Sequence, residues 1–135
     1  MPVQLKLAAA WTSFMFFYIY VDYLILYKPG HVQNILDGRV WEFDLNQTFA
    51  TVAFVSLAVP IFMILLSVAL SGRGNRTLNI VVAVLYIPYS IFNAAGETWT
   101  VFFGLSIGLE VGILSYIVLT ACNWPHTATI AEDAA

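Results

Sequence analysis

The residue of this chain with the greatest capacity for chemistry is Glu110, an acid near the middle of an apolar, otherwise uncharged run from Trp99 to Cys122. A charged side chain at bilayer depth costs at least ~2.5 kcal/mol on insertion scales, so protein, water or a ligand must compensate it. Glu110 is therefore protonated and hydrogen-bonded, paired with a cation, or hydrated in a cavity. Proton coupling or cation binding is the functional interpretation. The structural interpretation is a neutral carboxyl group bonded to a backbone carbonyl freed by Pro60 or Pro88.

A second acid, Asp22, lies near the end of the first apolar run. Tyr18 precedes it by four residues, so on a helix the phenol and the carboxylate share a face, and we expect them to meet. Charges near the membrane surface are cheaper to accommodate than central ones. Two interpretations of Asp22 therefore stay open: a ligand-binding role, or pairing with Lys28 or Arg39.

The third apolar run carries a stripe of polar side chains. At about 100° per residue, its polar positions fall within a narrow sector of one helix. Because lipid offers no hydrogen bonds, the stripe should face other helices or a hydrated cavity. The members of the stripe are Asn79, Tyr86, Ser90, Asn93 and Glu97. The predicted substrate- or ion-binding residues of the whole chain are Glu110, Asp22, Asn93, Glu97, Tyr18, Ser90 and Ser106.

The fourth apolar run has two distinct faces. Gly104, Gly108 and Gly112 repeat at i,i+4 and form a small-residue stripe of the kind that lets membrane helices approach closely. Ser106 and Glu110 share the opposite face. We therefore predict a helix-packing interface at the glycines, with a neighbouring span on one face and a second copy of the chain on the other.

Composition defines the class of protein. Hydrophobic residues make up 61% of the 135 residues and charged residues 10%, far below the roughly 25% charged residues of a soluble domain. We predict an all-α, polytopic membrane protein with four transmembrane helices in an antiparallel bundle and a short interfacial segment between helices 1 and 2. The expected spans are residues 5–27, 48–70, 78–95 and 99–122 of a single domain, followed by a flexible tail at 123–135.

The connections carry their own signals. Residues 31–47 mix charged and apolar side chains, which is typical of a short interfacial helix or re-entrant cap with Trp41 at headgroup level. Pro60 inside the second span frees a backbone carbonyl one turn earlier, around Ser56. The glycine-rich connection at 71–77 is predicted to be a structural loop. The residues assigned to this structural loop are Arg73, Arg76 and Asn79, the last of which is the first polar position of the next span.

Positive charge predicts the orientation. With four spans, Lys6, Arg73 and Arg76 share one side, and Lys28 and Arg39 lie on the other. Because positive residues favour the cytoplasmic side, we place both termini in the cytoplasm of a multi-pass protein of the cell (inner) membrane.

Several classes of chemistry have no support in the sequence. It contains no catalytic nucleophile motif, phosphate loop or paired catalytic dyad, so no catalytic residue is assigned. The lone Cys122 and the isolated His31 and His126 predict no metal site and no cofactor. A net charge of −3 without a basic tract argues against nucleic acid as a partner.

Several short segments resemble, in the same order, a family of small bacterial four-span membrane proteins that is catalogued as a domain of unknown function and is loosely similar to the DoxX-like membrane proteins. The resemblance implies a helical four-span fold and no activity. It matches Asp22, Arg76, Asn79 and Glu110 to positions in the family's motifs. The matching segments are Tyr20-Val21-Asp22, Val59-Pro60-Ile61-Phe62-Met63, Leu65-Leu66-Ser67, Asn75-Arg76-Thr77-Leu78-Asn79 and Leu109-Glu110-Val111.

Three functions compete. The leading hypothesis is an oligomeric channel or transporter for a cation, proton or small solute, because rings of carboxylates select cations in narrow pores. The second is an accessory or structural subunit of a larger membrane complex. The third is a binding protein or enzyme for a lipid- or quinone-like molecule, held in an apolar pocket with a few polar groups, where an acid pair could transfer protons. The expected partners are the lipid bilayer and either further copies of the chain or other membrane subunits.

Overall fold

The computed structural model of the chain describes residues 2–40, 43–94 and 99–124. The described part is mostly helical. The elements, in chain order, are α1 (Val3–Leu24), a 3-10 turn (Ile25–Tyr27), α2 (His31–Leu36), β1 (Arg39–Val40), β2 (Phe43–Asp44), α3 (Gln47–Ala69), α4 (Gly72–Asn93) and α5 (Thr100–Cys122).

Three of the helical segments are long and apolar enough to cross a membrane. They are Val3–Tyr27, Gln47–Ala69 and Thr100–Cys122, with mean hydropathy of 1.4, 2.6 and 2.0. Their outer surfaces carry large exposed apolar side chains, among them Phe54, Phe62 and Leu105. Such a surface suits lipid as its solvent, and the expected character of a helical membrane protein is therefore confirmed.

The long helices pack in a ring. Helix α1 packs against α3 and α5, and α4 packs against α5 and, less extensively, against α3. Helices α1 and α4 are joined instead by long side chains that reach across the middle. The indole Nε1 of Trp11 donates to Oδ1 of Asn79 at 2.7 Å, and the hydroxyl groups of Tyr18 and Ser90 lie 2.5 Å apart.

The core is densely packed in the half of the ring that contains the start of α1. Trp11 and Phe14 meet edge to face at 5.7 Å between ring centroids, and both are fully buried. Leu114 and Ile117 of α5 are fully buried in the same cluster, as is Leu7 of α1. This packed layer fills the interior at that end of the molecule.

A buried polar cluster lies beside the packed layer, where α3 turns into α4. The amide nitrogen of Asn75 donates to the carbonyl of Ser67 at 2.6 Å and to that of Leu70 at 3.2 Å. The amide nitrogen of Asn79 donates to Oδ1 of Asn75 at 2.6 Å. The two bonds from Asn75 satisfy carbonyl groups at the end of α3 that have no partner within the helix.

The predicted loop at 71–77 is wrong. Helix α4 begins at Gly72, so Arg73, Arg76 and Asn79 are helical, and Ser71 with extended backbone precedes the first turn. The reason is that Asn75 closes the turn from inside and Arg76 is fixed to the end of α5. The guanidinium of Arg76 donates to the carbonyls of Ala121 (3.0 Å) and Cys122 (3.3 Å).

The described part of the segment between α1 and α3 folds over one end of the helices, and we call its residues 28–40 and 43–46 the cap. It contains α2 and a two-residue antiparallel ladder in which Arg39 pairs with Asp44, so the chain is not purely helical. Gly30 and Gly38 adopt φ of +84° and +82°, which favours glycine at both turns. Asn46 then starts α3 by accepting a hydrogen bond from the backbone N–H of Phe49 at 2.8 Å. Trp41 lies outside the described residues.

Only the first two residues of the predicted tail are described. Trp124 is 3% exposed and belongs to the core cluster. The chain therefore stays packed past the end of α5, and residues 125–135 lie outside the described part.

Candidate functional site

A cavity of about 1290 Å³ lies between the cap and the four long helices, and we call it the chamber. Its wall combines the last turns of α1 and α4 with the first turns of α3 and α5. Apolar side chains such as Val52, Leu57 and Ile107 form much of this wall. The polar groups on the four helices that line it are Tyr18, Asp22, Thr48, Ser56, Tyr89, Ser90, Asn93, Ser106 and Glu110.

Glu110 lies inside the molecule. Its side chain is 4% exposed and lines the chamber from α5, with Ser106 one turn earlier on the same face. The Ser106 hydroxyl donates to the carbonyl of Phe102 at 2.9 Å. The Ser90 hydroxyl hydrogen-bonds to the Glu110 carboxyl, which also interacts electrostatically with Asp22 and Tyr18. The acid is thus shielded from lipid by the helices around it and faces a shared polar space.

Hydroxyl groups join the helices around the chamber. Tyr18 of α1 bonds to Ser90 of α4 at 2.5 Å, and Ser56 of α3 bonds to Tyr89 of α4 at 2.7 Å. Tyr86 of α4 donates to the backbone carbonyl of Ser56. That carbonyl lies four residues before Pro60, whose missing N–H leaves it without its helical partner. The polar wall is therefore fixed in place by bonds between helices.

The predicted bond between Tyr18 and Asp22 is absent from the hydrogen bonds of the described residues. Tyr18 is buried and bonds to Ser90, whereas Asp22 is exposed at the rim of the chamber. The physical reason is direction: side chains on a helix lean toward its amino terminus, so the phenol of Tyr18 points away from the residue four positions later. Asp22 instead faces the cap, where His31 interacts with it electrostatically.

Further polar and charged residues lie at the rim of the chamber. Asn93 is exposed and lines the chamber near the end of α4. Lys28, at the start of the cap, places its ammonium 5.7 Å from the centre of the Phe103 ring. Asp44 lies in β2. Glu97, a further predicted member of the site, lies outside the described residues.

The polar stripe predicted on the third span serves two purposes along its length. Asn79 and Tyr86 are buried and bonded to other helices, which fits the interpretation of interhelical hydrogen bonding. Ser90 and Asn93 line the chamber, which fits the interpretation of a cavity wall. Both interpretations of the stripe therefore apply, one at each end.

The glycine stripe does not hold a helix of this chain. Gly104, Gly108 and Gly112 are exposed, and a Cβ atom added at any of them would meet nothing within 4 Å. Gly108 and Gly112 line a shallow groove of about 630 Å³ with Ala9 and Ser13 of α1. The expected packing against a neighbouring span is therefore not present among the described helices, and packing against a second copy stays a prediction.

Comparison of the chain with protein families identifies one that it matches. The chain matches the family described as "Family of unknown function (DUF6326)" over residues 3–131. The chain belongs to this family. Comparison with curated proteins and with solved structures found no match. Membership confirms the resemblance to a family without an assigned activity, so the chemistry of this family member must be argued from the chamber itself.

Sequence reasoning missed several groups at or near the chamber. Ser56 and Tyr89 were not among the predicted site residues, although Pro60 marked the region of Ser56. Asn75 and Trp11, whose side chains belong to the buried layer below the chamber, were not predicted either. An asparagine after Gly74 resembles a turn residue, and a tryptophan in a membrane helix resembles a lipid contact. Within the described ranges, no three histidine, cysteine, aspartate or glutamate side chains are grouped closely enough to hold a metal ion.

Proposed function

We propose that α4 crosses the bilayer with the three apolar helices, which makes the molecule an antiparallel bundle of four transmembrane helices. Its 22 residues span about 33 Å at 1.5 Å per residue, enough for a hydrocarbon core of about 30 Å. Its low hydropathy comes partly from asparagines that are buried inside the molecule rather than exposed to lipid. Gln4 bonds to Leu70 and Arg76 to Ala121, so the beginnings of α1 and α4 lie beside the ends of α3 and α5.

We further propose that this bundle lies in the cell membrane with both termini in the cytoplasm. Lys6, Arg73 and Arg76 all occur within a few residues of helix beginnings at the same end of the bundle. That clustering is what the preference of positive residues for the cytoplasmic side requires. The chamber then opens toward the opposite side of the membrane.

The function that the geometry supports best is binding of an amphipathic small molecule in the chamber. The observation that carries this proposal is a cavity of about 1290 Å³ inside one chain, with apolar walls and a buried acid. Small-molecule sites are typically concave, mostly apolar and equipped with a few placed polar groups. The chamber has this composition, with Glu110, Ser90 and Tyr18 grouped on its inner wall.

A channel through one bundle has less support. The packed layer of Leu7, Trp11, Asn79, Leu114 and Ile117 lies between the chamber and the other end of the bundle, and each of these side chains is 0% exposed. An ion path would have to cross this layer or run between subunits. The oligomeric channel therefore stays a prediction, which a flux assay of wild type and Glu110→Gln in liposomes tests. The accessory-subunit hypothesis likewise stays a prediction.

The binding proposal is tested by filling the chamber. Ala53 lines it from α3, and Ala50, one turn earlier, is exposed outside it. Ala53→Phe should occupy the cavity, whereas Ala50→Phe adds the same side chain to the outer surface. We expect wild type and Ala50→Phe, purified in mild detergent, to release the same bound small molecule by mass spectrometry, and Ala53→Phe to release little of it.

Two results would overturn the binding proposal. The first is an equal amount of every copurified molecule in wild type and Ala53→Phe, with both proteins folded. The second is the absence of any copurified molecule together with no binding of added amphiphiles. Helical content by circular dichroism shows whether each variant is folded.

A further inference from the structure

We propose that the molecule held in the chamber is an amphipathic cation: an apolar body with a single ammonium head group that lies between Glu110 and Asp22. This inference rests on the proposed binding function and specifies its ligand. Its basis is the charge, depth and aromatic character of the chamber wall.

Acidic groups outnumber basic ones in the chamber. The titratable groups that line it lie on α1, on the cap, on α4 and on α5. The acids are Asp22, Asp44 and Glu110, the basic groups are Lys28 and His31, and the phenols are Tyr18 and Tyr89. Three carboxyl groups therefore face one lysine and one histidine. This excess of carboxyl groups would repel an anionic head group and attract a cationic one.

Glu110 lies deeper in the chamber than Lys28 of the cap. Lys28 lies at the level of Phe103, near the beginning of α5. Glu110 is seven residues further along the same helix, which corresponds to about 10 Å at 1.5 Å per residue. The inner carboxyl group therefore lies well below the charged residue of the cap. An ammonium group carried into the chamber on an apolar body can reach this depth.

Aromatic rings add a second source of attraction. Tyr18, Tyr89 and Phe103 are among the aromatic residues that line the chamber. A cation within about 6 Å of a ring centre is attracted by the ring, and quaternary ammonium ligands are recognised in this way. The contact between the Lys28 ammonium and Phe103, at 5.7 Å, is an example within this wall.

The apolar part of the ligand also has a matching surface. Val52 and Leu57 of α3 and Ile107 of α5 line the chamber beside the polar groups. Burial of apolar surface contributes about 25 cal/mol per Å². The walls therefore favour a ligand with a sizeable hydrocarbon body over a bare inorganic cation.

The test compares three probes that differ only in head group. The probes are an alkyltrimethylammonium, an alkanol and an alkylsulfonate of equal chain length, radiolabelled and measured by equilibrium binding to the full chain in a non-ionic detergent. We expect the ammonium probe to bind at least about tenfold more tightly than the alkanol, the effect of one charge-assisted interaction, and the sulfonate to bind most weakly. Glu110→Gln and Asp22→Asn should each reduce the preference for ammonium over alkanol severalfold.

A matched control separates local charge from overall charge. Asp37→Asn removes the same charge from an exposed residue of the cap that bonds to Gln33 and does not line the chamber. It should leave the preference unchanged within about twofold. Because Asp22 is exposed at the rim, Asp22→Asn tests the inference even if Glu110→Gln does not fold.

The outcomes distinguish the two proposals. If alkanol binds as tightly as ammonium, or sulfonate binds more tightly, with Ala53→Phe abolishing that binding, the chamber is a binding site and the cation inference is wrong. If Asp37→Asn weakens ammonium binding as much as Asp22→Asn, the preference reflects net charge and the inference is wrong. If none of the probes binds and nothing copurifies, both proposals are wrong.

Discussion

Replacing Asn79 by leucine should destabilise the bundle strongly, because this side chain is the junction of the buried polar cluster. It is fully buried and forms four hydrogen bonds. Its Oδ1 accepts from the Trp11 indole at 2.7 Å and from the Ser67 hydroxyl at 3.3 Å. Its amide nitrogen donates to Oδ1 of Asn75 at 2.6 Å and to the Asn75 carbonyl at 3.0 Å. Leucine has a similar size and can form none of these bonds.

The magnitude follows from these contacts. Hydrogen bonds between membrane helices contribute about 0.6 kcal/mol each on average, so the two bonds from Asn79 to Trp11 of α1 and Ser67 of α3 come to about 1 kcal/mol. A buried donor left without a partner, here the Trp11 indole N–H, costs about 1–3 kcal/mol. We therefore expect Asn79→Leu to lower the free energy of unfolding by about 2–4 kcal/mol.

The assay is reversible unfolding of the purified protein in mixed micelles, followed by circular dichroism. Asn93→Leu is the matched control, since Asn93 lies on the same helix but is exposed. It should change the free energy of unfolding by no more than about 0.5 kcal/mol. Equal effects of the two substitutions, or a loss below about 0.5 kcal/mol for Asn79→Leu, would refute the argument that the polar cluster holds α1, α3 and α4 together.

Two further substitutions test the helix ends and the outer face. Arg76→Gln should destabilise the protein by about 1 kcal/mol and speed amide exchange in the last turn of α5, because the bonds from the guanidinium to the carbonyls of Ala121 and Cys122 are lost. Arg73 is exposed, and Arg73→Gln should have neither effect. Equal exchange rates in the two variants would contradict the argument that Arg76 stabilises the end of α5. Gly108→Ala should raise the free energy of unfolding by about 0.5–1 kcal/mol, because its Cβ meets open space and alanine favours the helix. A clear loss of stability on Gly108→Ala, measured in the same unfolding assay, would mean that a second molecule packs against this face.

Those parts of the fold that depend on hydropathy and local backbone chemistry could be predicted from the sequence. The sequence predicted four spans, and three of them are helices long and apolar enough to cross a membrane, because run length and composition are local properties. Pro60 predicted a free carbonyl near Ser56, and the structure shows Tyr86 donating to that carbonyl. Because proline always removes the same backbone donor, this inference needs no tertiary information.

Features that depend on which helices meet could not be predicted. The sequence placed Tyr18 with Asp22 on one helix face, but the phenol bonds to Ser90, seventy-two residues away. Asn75 lies in a glycine-rich stretch with the composition of a loop, and its bonds to the end of α3 are tertiary contacts that help to make the stretch helical. The chamber likewise arises from the cap and four helices together, so no single segment signals it.

The most direct test of the account is whether the wall that holds Glu110 faces a water-accessible chamber. In a Cys122→Ser background, which removes the only cysteine, Ser106→Cys lies on that wall and Leu105→Cys lies on the exposed outer face of the same helix. In liposomes, a charged, membrane-impermeant thiol reagent should label Ser106→Cys and leave Leu105→Cys unlabelled, and an alkyltrimethylammonium should slow the labelling. Two results would contradict the claim that Glu110 lines an open chamber. In the first, Leu105→Cys is labelled and Ser106→Cys is not; in the second, neither variant is labelled.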